Sequence, residues 1–586
     1  MTQPILQAVP ASITAAEGQR LCVLKFGSSV LGAETDYAAV ALEIYRHVRQ
    51  GEKVVAVVSA LHGETDALLS QGARVGGDCP ALLARLARVG ELRSAALAAL
   101  ALNRVGVRVT TMDPHEMGLL AEGQPLDSNL TDLDAGAVWA KLRDHEVVVV
   151  PGFTAGHAEH GVVTLGRGGT DLSAVFFADR LGAHRARLIK DVDGVYAEDP
   201  VKNPHAERYS EVGYAEAAAA SSGLIQPKAI LAAQQDDVLI EVAAMGAAQA
   251  TTIANLPARK SLPLRGARLR VALLGCGTVG GGVLAQLLER PDLFELNPVL
   301  VRRPADHAGE AACFTSNPTE ALAGDPDIVV ELVGGADPMA ELVAAALRNG
   351  ASLVTANKAL VAQHHDLLAA AASAGGASLL HSGAVGGGVP VLEAIGRLRT
   401  DGGVSAVEGI MNGTSNFILG RLEQGCGFDE AVHEAQALGF AEAEPSADID
   451  GHDTAHKLSL LARACFGNGL SVQSIARQSL RGVSIADAQA AHARGEVLKQ
   501  IGRCWRERDG GIVAAVRIES LPVGNLLARA RGEENVFVVT ATNGCRHTLH
   551  GKGAGRWPTA ASVFADIMDL QRASLARNAA VWQGGG

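Results

Sequence analysis

Aromatic residues are scarce in this chain, at 4% of the total, and cysteine is thinly spread. The eight cysteines stand singly with no CxxC pair. That excludes a zinc ribbon and a disulfide framework, and it suits reduced thiols in a cytoplasmic protein. No apolar run approaches the ~18 residues of a membrane-spanning helix. Runs of Lys or Arg are also missing, and the formal net charge is −12. Neither nucleic acid nor an anionic membrane is therefore expected as the main partner. The first twenty residues, MTQPILQAVPASITAAEGQR, lack a basic start and an apolar stretch, so no signal peptide is expected.

What is present points to an α/β protein. Its 586 residues, 48% apolar and 19% charged, suffice for two or more domains with ample cores. Short β-branched runs alternate with Ala/Leu-rich helical patterns. Strands are expected in RLCVLKF, KVVAVVSA, EVVVVPGF, ARLIKDVDGVY, LRVALLG, DIVVELVGG and SLVTANK. The segment LPARKSLPLRGAR (256–268) has two prolines, four basic residues and no periodicity, and reads as a linker. It separates a unit at 19–255 from one at 269–575.

The second unit opens on LRVALLGCGTVGGGVLAQLLER: strand, glycine turn, helix. Gly275, Gly277 and Gly280 form GxGxxG, with Thr278 and Val279 inside it. The first glycine permits the turn, the second lets the backbone approach a pyrophosphate, and the third lets helix pack on strand. An NAD site would then want an acidic residue after the next strand. Arg302 and Arg303 stand there instead, either as ligands of an NADP 2′-phosphate or as solvated arginines. Lys358 ends SLVTANK at the carboxyl edge where open α/β sheets bind ligands; a solvated lysine is the plain alternative. Asp453 and Lys457 are spaced i, i+4 in GHDTAHKLSLLARAC. An exposed ion pair is the plain reading. The leucines that follow argue for burial, and a buried pair of this kind suits carbonyl reduction, where an ammonium steadies and protonates the new alkoxide.

ELVGGADP, VTANKALVA, GAVGGGVPVLEAI, GIMNGTSNFIL, GFAEAEPSADIDGHDTAHKL and GKGAGRWPTA together resemble homoserine dehydrogenase, in order and across the whole unit. The resemblance implies interconversion of aspartate 4-semialdehyde and homoserine with NADP(H), NAD(H) being the other option. It assigns Lys457 and Lys358 to catalysis with Asp453 in support, and Glu442 and Asp448 to substrate. Asn357, Lys358 and Gly553 (in GKGAG) fall near the nicotinamide. It implies a Rossmann domain at 269–382, an inserted α/β substrate domain at 383–545, and a return to the cofactor domain at 546–575. Ser382 stands where the family has a glutamate beside a sodium-type ion, so no metal is expected there.

In the first unit VLKFGSSVLG, TLGRGGTDLSA and IKDVDGVYAEDP are strand-end or glycine turns able to cradle phosphate. In order and spacing they resemble the amino-acid kinase fold, and most closely aspartate kinase. The resemblance makes Lys25 and Asp171 the phosphoryl-transfer residues. Ser59, Thr65, Glu91 and Arg167 would hold aspartate. Lys25, Gly27, Ser28, Asp191, Tyr196, Asp199 and Lys228 would surround ATP and its Mg2+. Two departures stand out. Ser28 replaces a family glycine; at positive φ it would strain the loop by about 1 kcal/mol or more. Lys190 replaces a family threonine. The regulatory ACT domains of aspartate kinases have no room at 256–268, and none is expected after residue 575. The expectation is a cytoplasmic bifunctional enzyme of threonine and methionine biosynthesis, acting on small molecules as a homodimer or homotetramer. The competing reading is a homoserine dehydrogenase whose kinase-like unit is inactive and serves assembly or binding.

Overall fold

The structure, a computed structural model, describes residues 20–583 except 204, 222, 262–265, 308–310, 336 and 443. The chain divides into two compact units. One runs up to Gly266 and includes the chain from Ser574 onward; the other is Ala267–Ala573.

The first unit is built on a parallel sheet. Its strands and the helices that serve the site are β1 (Arg20–Phe26), β2 (Glu52–Val58), α1 (Pro80–Arg104), β3 (Val109–Thr111), β4 (Val147–Pro151), α2 (Gly169–Leu181), β5 (Arg185–Lys190), α3 (Pro227–Asp236) and β6 (Ile240–Ala244). The order β6-β5-β1-β2-β4-β3 is parallel throughout. Strands β1, β2, β4 and β5 are buried along almost their whole length. That is why they read as unbroken apolar runs: a parallel sheet covered on both faces has no polar side to show. The expected linker is shorter than 256–268. Arg259–Ser261 pair antiparallel with Arg208–Glu211 and close one edge of this sheet. Such an edge strand needs backbone partners only, so Arg-Lys-Ser carries no apolar signal.

The second unit begins with β7 (Leu269–Leu274), α4 (Thr278–Leu288), β8 (Val299–Leu300), β9 (Ile328–Glu331), β10 (Ser352–Thr355) and α5 (Lys358–Gly375). The order β8-β7-β9-β10 is parallel. An antiparallel sheet follows, from β11 (Val404–Ile410), α6 (Gly413–Glu423), α7 (His452–Phe466), β12 (Glu496–Arg506), β13 (Ile512–Pro522), β14 (Glu534–Ala541) and β15 (Arg546–Lys552), with order β13-β12-β11-β14-β15. Helix α7 lies on this sheet: a Cβ on Gly502 would meet Thr454 at 2.8 Å, so glycine there allows the close approach. The first turns of the last helix, Arg556–Gln583, pack on α4. Ala560 sits so near Gly282 of α4 that a Cβ at 282 would lie 2.8 Å from it.

Candidate active sites

The glycine turn between β7 and α4 has three glycines doing three jobs. Gly275 has φ +101°, and a Cβ on it would lie 2.8 Å from the Leu332 carbonyl oxygen. A Cβ on Gly280 would meet the Gly275 carbonyl oxygen at 2.1 Å, so helix and turn can touch only without a side chain. Around Gly277 no atom lies within 4 Å of the Cβ position. The backbone there is open, with exposed Thr278 and half-buried Val279 beginning the helix. This arrangement fits a dinucleotide pyrophosphate at a helix N-terminus. Arg302 and Arg303 are both exposed just past β8; Arg303 pairs with Asp306 at 3.1 Å.

At the carboxyl ends of β9 and β10 a buried network shapes the same edge. Glu331 accepts from the Thr355 hydroxyl at 2.7 Å and the Val333 N–H at 2.8 Å. Asn357 caps α5: its Oδ1 accepts from the Leu360 N–H, and its Nδ2 donates to the carbonyls of Val333 and Gly335. Burial raises the Glu331 carboxyl above its ordinary value.

Lys358, the first residue of α5, donates to Asp453 Oδ1. On the other side, Lys457 Nζ lies 3.0 Å from Asp453 Oδ2, as the i, i+4 spacing allows. Asp453 thus sits between two ammoniums. Burial opposes its ionisation, yet Lys457 and Lys358 hold its carboxyl well below the ordinary range. Burial pulls the Lys457 amine down, and Lys358 adds to that pull against Asp453. Lys358, side chain 43% exposed, is raised by Asp453. Lys457 also donates to the Met411 carbonyl at 2.5 Å. An ammonium has three donors; among the described residues two are used, and the third can serve a substrate oxygen.

Asn412 was not singled out by sequence, yet it ties the site together. It caps α6 by accepting from the Ser415 N–H, and its Nδ2 donates to Asp448 at 2.7 Å and Asp453 at 2.9 Å. Burial and the charge of Asp453 raise the Asp448 carboxyl. Glu442 is exposed, and its charge acts on Lys358. Two glycine motifs interlock beside this cluster: Gly388 N–H donates to the Lys552 carbonyl at 3.0 Å, and a Cβ on Gly387 would strike Gly553. Gly553 is itself pressed against the Asn535 amide. Ser382 donates through N–H and Oγ to the two oxygens of Asp566, so a carboxylate does lie beside it.

In the first unit Lys25 and Asp171 form a buried ion pair of 2.7 Å. Asp171 stands in the first turn of α2, where a carboxylate also complements the helix dipole. Lys25 folds over Gly27: a Cβ there would lie 2.3 Å from Lys25 Nζ, so the amine would have to shift. Ser59 donates to Thr170 at 2.9 Å, beside Asp171. Glu91 is buried, and burial pushes its carboxyl up to about 8, partly offset by Lys25. The condition for strain at Ser28, a positive φ, is not met. Among the described residues only Phe153, Asp237 and Asp325 combine a side chain with positive φ, so Ser28 is unstrained. Thr65 is half-buried, while Arg167, Asp191 and Asp199 are exposed. Tyr196 donates to Asp193, and exposed Lys228 pairs with Asp127 at 2.6 Å. The structure therefore gathers Lys25, Asp171, Ser59 and Glu91 around the strand ends and leaves the other expected ATP and aspartate ligands on surrounding turns. It also adds Lys190, whose amine donates to both Asp171 oxygens, at 3.1 and 2.9 Å.

Family models match both units. One described as homoserine dehydrogenase matches residues 390–568, and one for the homoserine dehydrogenase NAD binding domain matches 275–382. One for the amino acid kinase family matches 20–243. The homoserine dehydrogenase of Corynebacterium glutamicum is 36% identical over 326 residues, covering 52% of this chain and 73% of that protein. That of Pseudomonas aeruginosa is 36% identical over 316 residues, with coverages of 52% and 73%. Among solved structures, a homoserine dehydrogenase from Thiobacillus denitrificans gives a TM-score of 0.50 at 36% identity, over 52% of this chain and 74% of that one.

Proposed function

We propose, for a chain that belongs to the homoserine dehydrogenase family and carries an amino acid kinase unit ahead of it, two activities of one biosynthetic route. The second unit interconverts aspartate 4-semialdehyde and homoserine, with NADP(H) preferred over NAD(H). The first phosphorylates the side-chain carboxylate of aspartate with ATP. The observation that carries the first of these is the Lys358–Asp453–Lys457 cluster, which joins the cofactor fold to the antiparallel sheet.

A bound nicotinamide would supply the hydride. Gly275, Gly277, Gly280, Thr278 and Val279 would hold its pyrophosphate, Arg302 and Arg303 its 2′-phosphate, and Asn357, Lys358 and Gly553 its reactive end. As hydride reaches the carbonyl carbon, the carbonyl oxygen gains negative charge. Lys457 presents its third N–H to that oxygen and gives it the proton. Asp453 fixes the direction of both ammoniums. Asp448 and Glu442 take the hydroxyl and amino ends of the substrate, and Asn412 bridges Asp448 to Asp453 by donating to both.

In the kinase unit Lys25 faces the transferring phosphoryl group and Asp171 orients it; Ser59, Thr65, Glu91 and Arg167 would hold aspartate. Asp191, Tyr196, Asp199 and Lys228, with the Gly27–Ser28 turn, would surround the nucleotide and its Mg2+. The purified chain should oxidise homoserine with NADP+ and form aspartyl hydroxamate from aspartate, ATP and hydroxylamine. Absence of the first activity would refute the dehydrogenase reading. Absence of the second alone would leave a homoserine dehydrogenase with an inactive kinase-like unit.

A further inference from the structure

Lys190 ends β5, and Lys25 lies on the neighbouring strand β1. In the parallel register Lys25 pairs with Leu188. Lys190 lies two residues beyond Leu188, and side chains two apart in a strand share a face. Both amines therefore rise on the same side of the sheet at its carboxyl edge. They meet on one carboxylate: Asp171 Oδ1 is 2.7 Å from Lys25, and Asp171 Oδ2 is 2.9 Å from Lys190. All three residues are less than a tenth exposed. The Gln226 N–H adds a bond of 3.3 Å to the same carboxylate.

Two ammoniums against one carboxylate leave a surplus positive charge at a buried point. Such a surplus is costly without an anionic partner. Glu91 does not cancel it at neutral pH, because burial pushes its carboxyl up to about 8. The turns on either side carry Gly166 and Gly168, both at φ +74°, and the Gly27 turn. This is a cationic floor under backbone turns of the kind that cradle phosphate.

We propose that Lys190 is a second phosphate-binding cation of the first unit, facing, together with Lys25, the phosphoryl group that passes from nucleotide to carboxylate. The proposal rests on the phosphoryl-transfer reading of this unit. As the γ-phosphoryl leaves the nucleotide, its bond to the β-phosphate oxygen breaks and a bond to the acceptor carboxylate oxygen forms. Lys190 takes no proton in that exchange; it steadies the charge on the phosphoryl oxygens. Asp171 holds the two amines side by side and keeps them from repelling each other. Burial and the nearby Lys25 pull the Lys190 amine down to about 8, and a phosphate group brought against it would oppose that pull. A threonine at this position could donate a hydrogen bond but could supply no charge.

The test uses the full chain and three variants, Lys190→Met, Lys190→Arg and Lys190→Thr. Thermal unfolding followed by circular dichroism checks that each is folded. Calorimetry measures binding of MgATP and of inorganic tripolyphosphate, and the hydroxamate assay measures turnover with aspartate. The methionine variant should bind both phosphates at least tenfold more weakly and turn over roughly 10- to 1,000-fold more slowly. Arginine should restore most of the binding. Wild-type binding and turnover in the methionine variant would overturn the proposal, as would a gain of activity in the threonine or methionine variant, which would make Lys190 a lock on Asp171. Failure of the parent chain to bind either phosphate would overturn it too. If the parent binds MgATP in a Lys190-dependent way yet forms no aspartyl hydroxamate, the aspartate kinase reading fails and this proposal stands.

Discussion

Lys358 and Asp453 are 95 positions apart, yet the ammonium of the first is hydrogen-bonded to the carboxylate of the second. One opens a helix on the parallel sheet and the other stands in the first turn of a helix on the antiparallel sheet. Their bond is the point at which the cofactor half and the substrate half of the unit share a single charge. Lys457, one turn further on, completes the group.

Replacing Lys457 by alanine should lower dehydrogenase turnover by the ~10²–10⁴ expected of a lost general acid. Binding of NADPH, followed by its fluorescence, should be unchanged. In the parent enzyme the reductive rate should fall as pH rises, because the acid form of Lys457 is then lost. Since burial and Lys358 lower this amine, the midpoint should lie below the ~10.4 of a free lysine. Near-normal turnover in the variant would remove Lys457 from the reaction.

Arg302→Glu combined with Arg303→Ala should shift preference from NADP toward NAD. Both side chains are exposed at the end of β8. An acidic group there would repel a 2′-phosphate and accept from a ribose hydroxyl. The ratio of kcat/KM for the two cofactors decides the matter. Equal use of both by the parent would make the arginines ordinary surface charges.

Gly280→Ala should weaken cofactor binding at least tenfold and lower stability by about 1–3 kcal/mol. The added Cβ would stand 2.1 Å from the Gly275 carbonyl oxygen, so α4 or the turn has to move. Kinase activity, which belongs to the other unit, should survive in the same sample. A variant with an unchanged KM for NADPH would show that the turn adjusts freely.

Glu91→Gln should stabilise the first unit while removing its turnover. Burial pushes this carboxyl up to about 8, above its unfolded value of ~4.3. The folded state therefore binds a proton that the unfolded state releases. The resulting cost is absent below about pH 4, grows as pH rises, and is complete above about pH 8. The amide never ionises and escapes it, by an amount on the order of a few kcal/mol. Melting curves at pH 5 and pH 8.5 should show a gain mainly at the higher pH. A gain of equal size at both would place its origin elsewhere.

The parts of this molecule that were legible in sequence are those set by local spacing. Each of the seven expected runs contains a strand, because a strand buried on both faces is written as a continuous apolar stretch. The Asp453–Lys457 pair could be read from helical periodicity alone. Contacts that depend on register or on a helix cap could not. Lys190 stood out as a lysine where threonine was expected, but its partner Asp171 is found only once Lys25 is known to pair with Leu188. Asn412 precedes Gly-Thr-Ser at a helix start, a capping signal that was available. Its second task, bridging two carboxylates, belongs to the tertiary fold. Arg259–Ser261 escaped because an edge strand bound through its backbone has no apolar side to display.

The strand under the catalytic helix has a bearing on how the enzyme fails on warming. Strand β12 pairs with β13 over eleven residues in unbroken register, and with β11 on its other edge. Each paired amide exchanges with deuterated water only when the ladder that holds it opens, and an interior strand paired over this length opens late. Thr454 rests directly against Gly502 of this strand, so Asp453 and Lys457 ride on the part of the unit that lets go last. Exposed Glu442 has no such anchorage. With Glu442 on the substrate's amino end, as proposed, heat should weaken substrate binding while the paired lysines are still in place, and a rising KM should precede the loss of kcat.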